Sequence, residues 1–280
     1  MKNVIISNPK KLEEMINKIS QDGKDKFHVI ADFDRTLTKA FVNNEKSSTV
    51  IAQIRNGNYL TEDYSPRAHA LFDKYHPIEI SNEISSKEKN KKMYEWWRKH
   101  FDLLIECGMN KRVIEEIVKN SKIEFRTGSF DFLDYLNQNK IPLIIMSAGQ
   151  GDMITEHLKK EKRLYKNIHL IANMFIFNEK GQVIEIEEPI IHSLNKYEIE
   201  TKNLPVYNEL LKRKNVLLLG DSLEDVGMIK GFPYKSLIKI GFLNENVEEN
   251  LKRYKENYDV IILNDEKMDY VNELLKRLTS

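Results

Sequence analysis

The run Phe27-His28-Val29-Ile30-Ala31, ending in Asp32-Phe33-Asp34-Arg35-Thr36, constrains this chain more than any other segment. A short apolar run before a polar loop is the pattern of a buried strand. It delivers two carboxylates at spacing two where that strand emerges. Successive side chains of an extended segment alternate, so both would point the same way. Two anions aimed at one point repel unless a cation or a proton lies between them. The pair therefore suits a metal-assisted nucleophile and its acid/base partner. A calcium loop fails here, because Leu37 stands where the turn needs Gly and Asn43 where a bidentate Glu is needed. A plain helix cap by Thr36 or Asp34 stays open at this point.

Short apolar runs recur between amphipathic segments. Strands are expected over Phe27–Ala31, Ile141–Ser147, Ile168–Phe177, Val216–Gly220, Ser236–Ile240 and Asp259–Leu263. Helices are expected over Pro9–Ile19, Ser129–Asn139, Asp152–Lys160, Pro205–Arg213, Leu223–Lys230, Val247–Asn257 and Lys267–Leu278. Such alternation predicts an α/β fold, a doubly wound and mostly parallel sheet covered on both faces. Glu179-Lys180-Gly181 predicts a hairpin turn between Ile176-Phe177 and Val183–Ile186.

From about Phe41 to Phe125 the alternation stops, and the pattern predicts helices over Ser65–Tyr75, Ser86–Cys107 and Lys111–Asn120. Asp32 and Ser147 lie 115 positions apart, whereas a βαβ crossover needs roughly 30. The surplus is enough for a helical cap inserted after the first strand, spanning 41–124, on a core built from 1–40 and 125–280. An insertion there hangs over the carboxyl ends of the strands, where ligands bind in open α/β sheets. It would act as a lid.

Charge narrows the partners. Forty-four basic against 43 acidic residues leave a net charge of +1, so no global field attracts a nucleic acid polymer. Charge runs such as Lys87–Lys92 read as a solvated helix face. The single Cys107 excludes an intrachain disulfide and suits a reducing compartment. With no apolar leader-like stretch at the N-terminus and no run of 18 apolar residues, a cytoplasmic protein without membrane attachment is expected, monomeric or weakly oligomeric.

Three more segments end or flank apolar stretches. Ile144-Ile145-Met146-Ser147-Ala148-Gly149 offers a hydroxyl and backbone N–H groups to an anion. Asn195-Lys196-Tyr197 presents a lysine shortly before a helix. Leu217-Leu218-Leu219-Gly220-Asp221-Ser222-Leu223-Glu224-Asp225 ends a strand with two carboxylates four residues apart, one helical turn if the segment is helical. Alone, each has an ordinary explanation: Ser147 as a cap, Lys196 as a surface lysine, Gly220-Asp221-Ser222 as a strand-to-helix turn. Their joint order at the ends of strands in one sheet is what lets them meet.

That order, Asp32-x-Asp34-x-Thr36, Ser147, Lys196, then Gly220-Asp221-x-x-x-Asp225, resembles the haloacid-dehalogenase-like phosphohydrolases. More closely, the chain is similar to the cytosolic pyrimidine 5′-nucleotidase type III family. The similar segments are Asp32-Phe33-Asp34, Tyr75-x-x-Ile78-Glu79, Met93-Tyr94-Glu95-Trp96-Trp97, Ser147-Ala148-Gly149-x-Gly151-Asp152, Asn195-Lys196, Leu218–Ser222, Lys239–Asn244 and Tyr258-Asp259. The resemblance implies an Mg²⁺-dependent phosphatase releasing phosphate from nucleoside 5′-monophosphates, CMP and UMP first. Asp32 would be the nucleophile and Asp34 the general acid/base. It also implies Asp32 and Asp221 as side-chain metal ligands, the Asp34 carbonyl as a third, and Asp225 acting through water. Ser147, with the backbone at Ala148 and Gly149, would hold a phosphate oxygen, and Lys196 would neutralise phosphate and nucleophile together.

Base recognition falls to the cap. Glu79 would accept from the base edge, and Trp96 and Trp97 are candidates for a stacking wall. Adjacent helical positions point about 100° apart, so both are not expected to face the ligand. The family has a tyrosine where Trp97 stands and a serine near His100, and a wider indole wall would admit bases beyond cytosine and uracil. His69 and His76 read as ordinary lid or surface histidines. The other readings are a phosphatase or phosphotransferase for another small phosphoester, and a silent nucleotide-binding protein. A binder would have no need of Asp34.

Overall fold

The computed structural model describes residues 3–81, 83–196 and 205–280. Strand β1 (Val4–Ile6) and helix α1 (Pro9–Asp22) lead into β2 (Phe27–Ala31), buried at every position. Asn8 starts α1 by accepting from the Lys11 N–H at 3.0 Å, with Pro9 in the first turn, and Gly23 ends it at a φ of 79°. After β2 come a small hairpin, β3 (Phe41–Val42) and β4 (Glu45–Lys46), and helices α2 (Val50–Asn56), α3 (Tyr64–Ile80), α4 (Ser86–Glu106) and α5 (Lys111–Asn120). The chain continues through α6 (Ser129–Gln138), β5 (Leu143–Gln150), α7 (Gly151–Lys160), β6 (Ile168–Asn173), β7 (Phe175–Phe177) and β8 (Val183–Ile186). It closes with α8 (Tyr207–Leu210), β9 (Asn215–Gly220), a 3₁₀ helix over Glu224–Gly231, β10 (Ser236–Leu243), α9 (Val247–Asn257), β11 (Val260–Leu263) and α10 (Asp269–Thr279).

The main sheet has the order β1-β11-β10-β9-β2-β5-β6, parallel throughout except for β1 at the edge. This is the α/β, mostly parallel architecture that the alternation predicts. The two-residue period assigns the sheet's side chains to opposite layers. Val29, Ala31, Leu143, Ile145, Leu217 and Leu219 bury in one apolar cluster, and Ile30, Ile144, Met146, Val216 and Leu218 in the other. Leu12, Ile16 and Ile19 of α1 join the first layer with Val271, Leu274, Leu275 and Leu278 of α10, stripes at helical spacing that need a sheet face to cover. Chain order runs from β2 outward to β5 and β6, then crosses to β9. The switch point therefore lies between β2 and β9, and the loops beyond their carboxyl ends open a crevice there.

Within residues 41–124, α3 packs against α4, and Tyr75, Met93 and Trp96 form a small buried cluster of their own. Phe101, Leu104, Ile114 and Ile117 nevertheless belong to the main core. Among the described residues no helix is long and apolar enough to cross a membrane.

Several boundaries differ from expectation. The strand expected over Ile168–Phe177 breaks at Met174, because Phe175–Phe177 leaves the sheet to pair with Val183–Ile186. The expected hairpin is therefore present, but in a separate two-stranded sheet. Leu223–Lys230 winds as a 3₁₀ helix rather than an α-helix, with Gly227 inside it offering little α preference. Pro205–Arg213 shortens to the single turn Tyr207–Leu210. The helix expected to stop at Tyr75 runs through Pro77 to Ile80 and carries Glu79 with it. α2 had no expectation, since seven residues show too little periodicity. Tyr197 lies outside the described residues.

Candidate active site

The site begins where β2 ends. Asp32 is extended, and its N–H donates to the Leu219 carbonyl at 3.0 Å, extending the β2–β9 pairing by one residue. The chain then coils, with Arg35 at a φ of 62°, a left-handed conformation that non-glycine residues seldom adopt. A buried arginine from outside the motif stabilises this turn. Arg126 donates to the carbonyls of Thr36 (2.8 Å) and Arg35, to Asn244 Oδ1 (3.1 Å) and to the Glu266 carbonyl (2.8 Å), and pairs with Asp265 at 2.9 Å. Asp34 is fixed by α2, whose Val50 N–H donates to its Oδ1 at 3.0 Å. Its second oxygen faces Gly149, where an added Cβ would sit 3.4 Å away.

Asp225 is reached from the end of β9. Its Oδ2 accepts from the N–H groups of Asp221 (3.1 Å) and Ser222 (3.0 Å), so a tight loop, not an α-helical turn, sets the two carboxylates. Gly220 is required for this approach, because a Cβ there would fall 2.4 Å from the Asp225 Cβ. Tyr254 and Tyr258 of α9 and its C-cap donate their hydroxyls to the carbonyls of Asp221 and Ser222. Lys196 is buried between the two halves. Its Nζ lies 2.5 Å from Asp32 Oδ1 and 2.8 Å from Asp225 Oδ1. The loop that carries it is held by Asn195, whose side chain accepts from the His192 N–H at 2.7 Å and donates to the Ile190 carbonyl at 2.9 Å. Ser147 at the end of β5 accepts from the Gly149 N–H at 2.9 Å. Asn173 ties that loop to the lysine loop, donating to the Ala148 and Ile191 carbonyls at 2.8 Å each.

Burial sets the charges. Removal from water pushes Asp32 up to about 7, with Lys196 pulling it down and Asp225 and Asp34 pushing it further up. Burial likewise raises Asp34 to about 6, against the Val50 N–H and the nearby Arg35 and Lys196. Asp221 is raised by burial and by repulsion from Asp32 and Asp225. Burial alone would strip the proton from Lys196, but Asp225 and Asp32 hold its ammonium charged well above the ordinary lysine value. One carboxylate oxygen from each of Asp32, Asp221 and Asp225 lies within 4.8 Å of the other two. An all-oxygen donor set with such mutual repulsion fits a hard divalent cation.

Above these groups is a cavity of about 620 Å³ lined by Asp32, Asp34, Ser147, Ala148, Gly149, Lys196, Asp221 and Asp225 at one end and by Glu79, Trp96, Trp97 and His100 of the helical segment at the other. Every residue expected at the site thus meets in one cavity. Trp97 stacks on His100 (centroids 6.4 Å apart, 20° between planes), while Trp96 stacks on Tyr75 (6.0 Å, 11°) within the small buried cluster. Burial and the nearby Arg55 lower His100 to about 4, so it is neutral at pH 7, with Nε2 and the Tyr64 hydroxyl 3.0 Å apart. Both Glu79 oxygens have partners, Ser193 Oγ at 2.6 Å and His76 Nδ1 at 3.1 Å.

Of the cavity residues not anticipated from sequence, four gather around Glu79 and Phe72. His76, expected to be incidental, orients Glu79 and stacks on Phe72 at 4.6 Å. Ser193, Phe72 and Arg55 also line the cavity. The spacing of His76 and Glu79, three apart on one helix, is a readable pattern. Nothing near Ser193 or Arg55 in the sequence places them opposite α3 and α4. His69 is exposed, as expected.

The parallel sheet, the acidic loops after β2 and β9, and the helices inserted after β2 define a haloacid-dehalogenase-like phosphohydrolase. A phospho-aspartyl intermediate analogue of phosphoserine phosphatase shares this fold, with a TM-score of 0.51 and 18% identity over 90% of this chain and 97% of its own. The match to cytosolic 5′-nucleotidase IIIB bound to cytidine is far fuller: TM-score 0.88, 25% identity, 99% of this chain and 94% of that one. The mouse 7-methylguanosine phosphate-specific 5′-nucleotidase is 35% identical over 276 residues, 98% of this chain and 92% of its own length. A putative cytosolic 5′-nucleotidase 3 of Caenorhabditis elegans is 30% identical over 285 residues, covering 99% and 76%. The family model described as pyrimidine 5′-nucleotidase (UMPH-1) matches residues 35–279. The chain belongs to that family and is a 5′-nucleotidase, a phosphoric monoester hydrolase.

Proposed function

We propose that this protein hydrolyses nucleoside 5′-monophosphates to nucleoside and phosphate, with Mg²⁺ and through an aspartyl-phosphate on Asp32, and that CMP and UMP lead its substrates. The observation that carries this is the Asp32 carboxylate, 2.5 Å from the Lys196 ammonium at the floor of the aromatic-walled cavity. Phosphoryl transfer asks mainly for in-line positioning and neutralisation of the phosphate oxygens. Asp32 attacks phosphorus as the bond to the ribose 5′-oxygen breaks, and Asp34 gives that oxygen its proton. Asp34 then takes a proton from water as the water oxygen attacks the acyl phosphate, which releases phosphate and regenerates the Asp32 carboxylate. A pKa raised to about 6 suits Asp34 to both halves. Lys196 and the Ser147 hydroxyl, with the backbone at Ala148 and Gly149, hold the phosphate oxygens. Asp32, Asp221, Asp225 and the Asp34 carbonyl would hold Mg²⁺, which when bound neutralises charge on the phosphate.

Residues 41–124 act as the lid over this floor. Glu79 accepts from the base edge, and the indole of Trp97 with His100 beside it offers the flat wall. The mouse relative, a 7-methylguanosine phosphate-specific 5′-nucleotidase, and the pairing of a broad indole with a carboxylate favour 7-methyl-GMP as the second reading. The cytosolic naming of relatives supports a cytoplasmic location. Phosphate release should be measured from CMP, UMP, GMP, 7-methyl-GMP, phosphoserine and ribose 5-phosphate, with Mg²⁺ and with EDTA. Nucleotides are expected to lead by at least tenfold, with EDTA abolishing turnover. A higher kcat/KM for phosphoserine or ribose 5-phosphate would overturn the reading.

A further inference from the structure

Arg55 lies on α2, the same short helix that fixes Asp34, and reaches the cavity at its aromatic end. Its guanidinium carbon is 4.0 Å from the Phe72 ring centroid. Its Nε is buried without a partner; burial lowers its pKa, and the nearby Tyr64 and Asp73 favour its charge. The cation continues into a wall of contacts: Phe72 stacks on His76 at 4.6 Å, and His76 Nδ1 lies 3.1 Å from Glu79 Oε2. The aromatic end therefore offers an array of donors at Arg55 and an acceptor at Glu79, with one ring and one imidazole between them.

Such a wall has a definite complement. A guanidinium hydrogen-bonds in a fork to paired acceptors, the carbonyl and ring-nitrogen edges of uncharged bases. Methylation of a ring nitrogen that makes the base cationic removes one acceptor and brings like charge toward Arg55 inside a partly dehydrated cavity, where screening is weak. We propose that Arg55 is a specificity-determining residue that favours nucleotides with an uncharged, acceptor-bearing base and rejects those with a cationic base. This rests on the nucleotidase reading above and selects between its two substrate classes, against 7-methyl-GMP.

The test uses two matched pairs that differ by one methyl group and one charge, CMP with 3-methyl-CMP and GMP with 7-methyl-GMP. kcat/KM is measured with Mg²⁺ for the wild type, Arg55→Gln and Arg55→Lys, and the ratio within each pair is compared. A ratio taken within one preparation is insensitive to the fraction folded. The wild type is expected to prefer the uncharged member. Arg55→Gln should shift the ratio toward the cationic member by about tenfold or more, and Arg55→Lys, which keeps the charge but loses the fork, should shift it less. An unchanged ratio in Arg55→Gln, or a wild type that turns over the methylated member faster, would overturn the assignment. Turnover of none of the four by the wild type is a different result. It would overturn the nucleotidase reading, and this assignment with it.

Discussion

At the scale of single residues, Asp32 and Asp34 differ in what holds them. Asp32 faces a lysine that is itself shared with Asp225, whereas Asp34 is held by one backbone N–H of α2. Their proposed roles separate by measurement. Asp32→Asn is expected to lower kcat roughly 10⁴-fold or more and to leave the thermal midpoint equal or higher, because burial makes the charged form unfavourable there. Residual turnover within tenfold of wild type would exclude Asp32 as nucleophile. Asp34→Asn should lower kcat by roughly 10²–10⁴, and a variant with altered KM but normal kcat would remove its acid/base role. The paired carboxylates were legible from spacing alone. That Lys196, 164 residues away, lies between Asp32 and Asp225 was not, because no local pattern marks a lysine as buried.

At the scale of elements, the loop over residues 32–37 after β2 depends on a residue outside its own segment. Arg126 is buried and donates to the carbonyls of Arg35 and Thr36 while pairing with Asp265. Replacing it by Met removes its donor to the Thr36 carbonyl, leaves the Arg35 carbonyl with Asn244 Nδ2 and strips the partly buried Asp265 of its countercharge, so Arg126→Met should cost roughly 3–5 kcal/mol in urea-unfolding free energy. Activity per folded molecule should fall as well, since the left-handed turn at Arg35 loses its support. A variant as stable and active as wild type would show that the turn is set locally. The long periodic helices and apolar strands were readable as elements, and the misreadings cluster where short-range preference is weak. α2 has seven residues, the 224–231 segment contains Gly227, and Phe175–Phe177 is apolar enough for either sheet until Val183–Ile186 captures it.

At the scale of the molecule, four histidines are buried and neutral. Burial lowers His28, His100, His157 and His192 to about 4, against roughly 6.5 in the unfolded chain. A histidine whose folded pKa is depressed contributes stability that is fully present above the unfolded value and is lost as pH falls from about 6.5 toward about 4, because the unfolded state takes the proton first. The raised Asp32 and Asp34 act in the opposite sense, so the comparison must be between variants. His157→Leu should unfold with a smaller loss of stability between pH 7 and pH 4.5 than wild type, as read by urea midpoints at the two pH values. Parallel profiles would mean that His157 is not the proton acceptor on unfolding.

By itself the sequence determined the alternation of strand and helix, the long insertion after β2, and the residue types gathered at strand ends, because periodicity and spacing are local properties of the chain. The tertiary structure alone decided that Lys196 is shared between Asp32 and Asp225, which arginine supports the turn after β2, and which side chains from α2, α3 and the Ser193 loop face one another at the aromatic end of the cavity. Those outcomes depend on distances between residues far apart in the chain, and burial, not sequence, converts an ordinary lysine, arginine or histidine into a group with a fixed charge and a fixed partner.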